Sequence, residues 1–379
     1  MTTAIATEIE TLISPWIAKK KHINLVIGVI QGEDRWVKGW GTLDSTSNTV
    51  DGNTLFEIGS ITKVFTSTLL ALLVEKHKLE LTTPINRLGK VYERLPDNIT
   101  LESLATHTSG LPRLPNNCQQ AFMEDKQNPY AAYTFDDLHE YLQSHDGTQG
   151  KTAGSIDYSN LGVGILGNIL ADSCDQGYEE AIVEYICNPL GLSQTRITLD
   201  EEQQARFALA YSDEGKTTKH WDLPTLAGAG ALRSNVNDLL TFISANLQPD
   251  KTPITQAILN THQLRYQEFA KSTGVLKWVG KINKLIQKLR RDSLVSHEMT
   301  GVTLGWFVDY LPAINRHVYT FAGGTGGHRS FCGLIKETQT GVVVLSNYSD
   351  IVSSMLGKYS TERVGLKILE MANINSSLG

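Results

Sequence analysis

The sequence predicts an α/β fold of the α+β type, an antiparallel sheet built from the N- and C-terminal segments and flanked by helices, with a mostly helical domain inserted. Three observations predict it. Residues 24–41, "NLVIGVIQGEDRWVKGWG", read as two short strands around a polar turn. Near the C-terminus, "VTLGWFVDYL", "HVYTF", "RSFCGLIKE" and "GVVVLSNYS" follow one another as strand-like runs with short turns. Between them, roughly residues 84 to 300, helical patterns and loop punctuation prevail. Strands at both ends with helices between imply one sheet shared by the two termini. The expected partition is a discontinuous sheet domain (1–83 and 301–379) and a helical domain (84–300).

After the first hairpin, "LFEIGSITKVFTSTLLALLVEKHKLEL" has the apolar density of a buried helix from Ile61 to about His77. Within the helical part, Lys271–Arg291 holds seven basic residues and no acidic one. Leu276, Val279, Ile282, Ile286 and Leu289 can share one helical face there. This favours an amphipathic surface helix over a contact with an anionic membrane or a lid. A closing helix is expected near 351–372.

Composition narrows the function classes. Hydrophobic residues make up 41% of the 379 and charged residues 20%, which excludes a disordered chain. A net charge of -6 gives no reason to expect nucleic acid. The N-terminus lacks a basic segment followed by an apolar run, and no apolar stretch is long enough to span a bilayer, so a cytoplasmic location is expected. Cys118, Cys174, Cys187 and Cys332 show no C-x-x-C pair or zinc spacing and read as reduced thiols. No H-E-x-x-H pair occurs, and neither metal nor cofactor is expected. "GVGILG" (Gly162–Gly167) lacks the preceding strand of a dinucleotide fingerprint, so its glycines are read as permitting close helix packing.

The chemistry concentrates at Ser60-Ile61-Thr62-Lys63, where the buried helix starts. A serine there ordinarily caps the helix, and a capping box would place Glu or Gln three residues on. Lys63 stands there instead, adding positive charge to a positive helix end. Desolvation and the dipole both favour a neutral amine, which can take the proton of Ser60 one turn away. Tyr158-Ser159-Asn160 follows in a loop before an apolar helix; the tyrosine can relay a proton, and the asparagine amide can hold Lys63 or a substrate carbonyl.

With "FEIGSITKVFT", "LATHTSGLP", "AGSIDYSNLGVGILG", "AGAGALRSNVNDLLTF" and "VYTFAGGTGGHRSF" in this order, the chain resembles the serine β-lactamase and penicillin-binding-protein superfamily, in its class C β-lactamase and esterase branch. The resemblance runs from about residue 24 to 348. It implies a site formed by Ser60, Lys63, Tyr158 and Asn160 with a third motif on a strand, K-T-G or a version with His. Aligned on Thr325-Gly326-Gly327, that motif falls on Phe321-Ala322-Gly323, with the Gly324 N–H as second oxyanion donor. The glycines of this stretch are then read as an edge strand and turn that let backbone approach a substrate carbonyl.

Phe321 departs from the pattern, since it can neither hold a carboxylate nor supply charge. His328 or Arg329 can restore a cation, though only one of two strand neighbours faces the site. Arg113, after "TSGLP", is a further candidate. The expected partner is a small-molecule acyl substrate, an ester, amide or lactam, and the departure at Phe321 favours uncharged acyl groups. A β-lactamase, a D-amino-acid peptidase, an acyltransferase, or a binding or sensor protein on the same fold remain the alternatives.

Overall fold

The computed structural model describes residues 3–43, 49–144, 154–267, 298–349 and 359–376. The basic segment 271–291 and the first part of the expected closing helix, 351–358, lie outside the described residues.

The N-terminal hairpin forms as β1 (Leu25–Gln31) and β2 (Asp34–Trp40). A two-stranded ribbon pairs β3 (Phe56–Glu57) with β4 (Arg233–Ser234). The C-terminal strands are β5 (Glu298–Val302), β6 (Phe307–Leu311), β7 (Arg316–Gly324), β8 (Arg329–Ile335) and β9 (Thr340–Ser346). The main sheet is antiparallel with the order β2-β1-β9-β8-β7-β6-β5, so the N-terminal hairpin joins the sheet beside its last strand. Two details differ from the sequence reading. "VTLGWFVDYL" is not one strand: it breaks where the Thr303 N–H donates to the Trp306 carbonyl, with Gly305 at φ +87°. The glycine-rich β7 is not an edge strand either, because β6 and β8 flank it.

Alternation along the strands feeds two cores. Leu25, Ile27, Val29, Val342 and Val344 pack with Ile5, Ile9, Ile13 and Trp16 of the N-terminal helix (Thr3–Ile17) and Val364, Ile368 and Leu369 of the C-terminal helix (Thr361–Ser376). Val26, Ile30, Phe321, Val343 and Leu345 face the other way, toward the buried helix Thr62–Glu75 and the helix Val236–Leu247. The latter falls within the stretch assigned to the inserted domain, yet it packs on β1, β8 and β9. Gly28 makes that approach possible: a Cβ there would stand 2.4 Å from Val236 Cγ1.

All three glycines of "GVGILG" sit on the helix Asn160–Ser173, where a Cβ on Gly167 would lie 2.9 Å from the Gly228 Cα and one on Gly164 2.5 Å from Leu226. Among the described residues, no helix is long and apolar enough to cross a membrane. All four cysteines are buried and outside any disulfide.

Candidate active site

Ser60 lies in a 3-10 turn, Gly59–Ile61, that leads into Thr62–Glu75. The helix has no side-chain cap, so Ser60 does not serve as one. Its Oγ lies 3.0 Å from Lys63 Nζ and 2.6 Å from the Tyr158 hydroxyl. Lys63 is 1% exposed, and its Nζ also donates to the Ala229 carbonyl at 2.6 Å. Burial drives its pKa well below that of a free lysine, and the nearby Arg113 charge adds to the effect. Burial also pushes the Tyr158 phenol up to about 12, against lowering by the Ser60 hydrogen bond and Arg113. The arrangement therefore sets an amine of lowered basicity and a phenol of raised pKa on one serine. The amine can accept the serine proton while the phenol donates to Oγ.

Local structure fixes Tyr158. His107 adopts φ +60°, an uncommon conformation for a residue with a Cβ. Its carbonyl accepts from the Asp157 N–H (2.8 Å), and its Nδ1 accepts from the Ser159 N–H (3.2 Å). The ring packs 4.5 Å from that of Tyr158 and stays neutral, its pKa lowered to about 3 mainly by burial. Ser159 caps the helix Asn160–Ser173 by accepting from the Gly162 N–H, and its hydroxyl donates to the Pro112 carbonyl. The Arg113 carbonyl accepts from the N–H groups of Asn160 and Leu161. Thus "LATHTSGLP" and "DYSN" lock together.

The glycines of β7 meet the turn Gly59–Ile61. Gly59 is at φ +49°, and a Cβ on it would stand 2.6 Å from the Gly324 nitrogen. A Cβ on Gly323 would stand 2.1 Å from the Ile58 carbonyl and 2.9 Å from the Ser60 nitrogen. Thr325 N–H bonds the His328 carbonyl, so the alternation of an antiparallel ladder turns the Gly324 N–H away from β8. β6 pairs with β7 only as far as Phe307↔Thr320, which leaves that N–H beyond the end of β6. Ser60, Gly324, Thr325, Asn160, Tyr130, Trp221 and Leu223 line one cavity.

The other candidates separate. Asn160 lines the cavity, with its Nδ2 3.4 Å from the Tyr130 hydroxyl; the bonds of Lys63 run to Ser60 and Ala229 instead. Phe321 is buried in the core, 5.3 Å from the Phe307 ring, and does not line the cavity. His328 does not reach it either. Fully buried, it accepts the Glu57 N–H through Nδ1 (2.7 Å) and meets the Ala208 carbonyl through Nε2. Of the pair, Arg329 lies on the site side, its guanidinium covering the Gly324 Cα. Arg113 stands with its guanidinium carbon 5.0 Å from the Tyr158 ring centroid.

Sequence reasoning gave no role to His107, Ala229, Tyr130, Trp221 or Glu57. His107, Glu57 and Ala229 stand inside the motifs quoted above, which was the available signal; Tyr130 and Trp221 come from segments without one. Glu57 is buried and accepts from the Thr325 hydroxyl (2.6 Å) and the Trp221 N–H (2.5 Å). Among the described residues, no cluster of His, Cys, Asp and Glu is placed to hold a metal ion.

A family model described as Beta-lactamase matches residues 9–357. The chain belongs to the beta-lactamase family. Within it, a beta-lactamase of Pseudomonas fluorescens is 27% identical over 354 residues, covering 91% of this chain and 94% of that protein. One from Providencia stuartii is 26% identical, covering 90% and 86%. Among solved structures, a beta-lactamase/D-alanine carboxypeptidase from Pseudomonas syringae superposes with a TM-score of 0.75 at 21% identity, covering 98% of this chain and 99% of that one. The α+β fold is thus that of the family's solved members.

Proposed function

We propose that this beta-lactamase-family chain is a serine hydrolase working through an acyl-enzyme on Ser60, acting as an esterase or acyl-transfer enzyme on uncharged acyl substrates. The observation that carries the reading is Ser60 Oγ, held between a desolvated lysine amine at 3.0 Å and a phenol at 2.6 Å. Lys63 takes the serine proton as Oγ attacks the substrate carbonyl, and the N–H groups of Ser60 and Gly324 hold the oxyanion. Collapse of that adduct breaks the bond to the leaving group, which takes a proton through Tyr158. Water or an acceptor alcohol or amine then attacks the ester carbonyl and frees Ser60. The preference for uncharged substrates rests on Phe321, which is buried in the core and puts neither cation nor imidazole where the third motif would carry one.

The relatives' names favour a second reading, hydrolysis of β-lactams or D-amino-acid peptides. Short p-nitrophenyl esters, nitrocefin and D-alanyl amides assayed in parallel decide between the two. Ester turnover should exceed the others and vanish in Ser60→Ala, together with labelling by a fluorophosphonate. Hydrolysis and labelling that persist in Ser60→Ala would sink the assignment. Nitrocefin turnover above ester turnover would establish the second reading. Stoichiometric acylation without turnover would make the chain a binding or sensor protein.

A further inference from the structure

A cation, Arg113, stands beside the Ser60–Lys63–Tyr158 cluster on its loop side. On the sheet side, Phe321 packs on Phe307, and Phe307 stacks on His107. On the loop side, the Arg113 guanidinium carbon lies 5.0 Å from the centroid of the Tyr158 ring, and Lys63 Nζ lies 4.8 Å from the same centroid. The Arg113 backbone is tied to the start of the helix Asn160–Ser173 through two N–H bonds to its carbonyl, so the cation has a fixed base. Its side chain is exposed, and among the described residues no carboxylate forms an ion pair with it.

We propose that Arg113 is a positioning residue for the reaction, a cation set against the Tyr158 ring that acts on the Ser60–Lys63–Tyr158 cluster through its charge. The inference rests on Ser60 being the nucleophile and Lys63 its base. The remaining titratable groups around Lys63 leave this role to Arg113. His107, from the turn after Leu101–Ala105, is buried and neutral. Tyr130 bonds Asn160. Arg329, on the sheet side, directs Nη1 onto the carbonyls of Thr325 and His328. Glu57 is taken up by Thr325 and Trp221. The Arg113 charge lowers the pKa of Lys63, second only to burial. A guanidinium holds its proton across the working pH range, so the effect does not titrate away.

The test is the pH dependence of kcat/KM for a neutral ester, p-nitrophenyl butyrate, in the wild type, Arg113→Gln and Arg113→Lys. A neutral substrate removes direct charge pairing from the comparison. Loss of the cation raises the Lys63 pKa, so the acidic limb of Arg113→Gln should move up by roughly half to one pH unit. Below that limb kcat/KM should fall about three- to tenfold, with the alkaline plateau little changed. Arg113→Lys should restore most of the shift, and fluorophosphonate labelling rates should follow the same profile. An unmoved acidic limb in Arg113→Gln overturns the proposal. So does a loss equal at every pH that Arg113→Lys fails to rescue, which is the mark of a structural role. The nucleophile reading fails separately, through hydrolysis that survives in Ser60→Ala.

Discussion

At Lys63, a long side chain has been sealed into the interior with a serine hydroxyl and a carbonyl as its partners and, among the described residues, no carboxylate. Burying an unpaired ammonium costs several kcal/mol, and that cost lowers the Lys63 pKa. The substitution Lys63→Met should therefore separate chemistry from stability. Ester hydrolysis should fall by about 10²–10⁴, while the melting temperature stays within a few degrees, because an apolar chain of similar length needs no counter-charge there. Wild-type turnover in Lys63→Met would remove Lys63 from the mechanism. Ser60, Lys63 and Tyr158 were legible because their residue types and short spacings carry chemistry by themselves. His328 was not: strand alternation allows one of His328 and Arg329 to face the site, and only the turn Thr325–His328 decides that the imidazole goes into the core. Phe321 was legible as a departure from pattern, whereas its place in the core against Phe307 rests on the pairing of β6 with β7.

Among the elements, the junction between the turn Gly59–Ile61 and the end of β7 sets the geometry around Ser60. The density of glycine in "VYTFAGGTGGHRSF" signalled a close backbone approach, and what approaches is the chain itself at residues 58–60. Gly59→Ala tests this contact. An added Cβ meets the Gly324 nitrogen at 2.6 Å on a backbone already at φ +49°. Strain and overpacking together should destabilise the fold by about 2–4 kcal/mol, read from the urea midpoint at constant slope. The displaced Gly324 N–H should also slow fluorophosphonate labelling of Ser60 at least about tenfold. Unchanged stability and labelling would show that the two backbones can part freely. The strands themselves were legible from period-two apolar runs, and the buried helix from its apolar density. The break between β5 and β6 was hidden, since "TLGW" reads as strand continuation while Gly305 at φ +87° reverses the chain. That β7 is internal follows from the pairing of β6 through β9, a long-range property that local pattern does not encode.

Over the whole molecule, three distant parts of the chain meet at one buried carboxyl. Glu57 on β3 accepts from Thr325 in the β7–β8 turn and from Trp221 in the inserted segment, while its own N–H is held by His328, which also contacts Ala208. Burial raises its pKa to about 7, more than the two hydrogen bonds and Arg233 lower it. The folded protein thus keeps a proton that the unfolded chain releases at ordinary carboxyl pH. Its contribution to stability is full in acid and is lost as pH rises through about 7. The buried histidines act in the opposite sense: His107 and His262, lowered to about 3 mainly by burial, favour the fold above the ordinary histidine pKa and oppose it as the pH falls. Wild-type stability alone therefore mixes the two, and the comparison with Glu57→Gln isolates the carboxyl. The amide does not titrate, and it sacrifices one of the two accepted bonds at every pH. Between pH 5 and 8 the wild type should lose about 2 kcal/mol relative to Glu57→Gln in urea unfolding. Parallel stability curves for the two proteins would mean that Glu57 is ionised in the fold across this range, with Thr325, Trp221 and Arg233 sufficient to hold the charge.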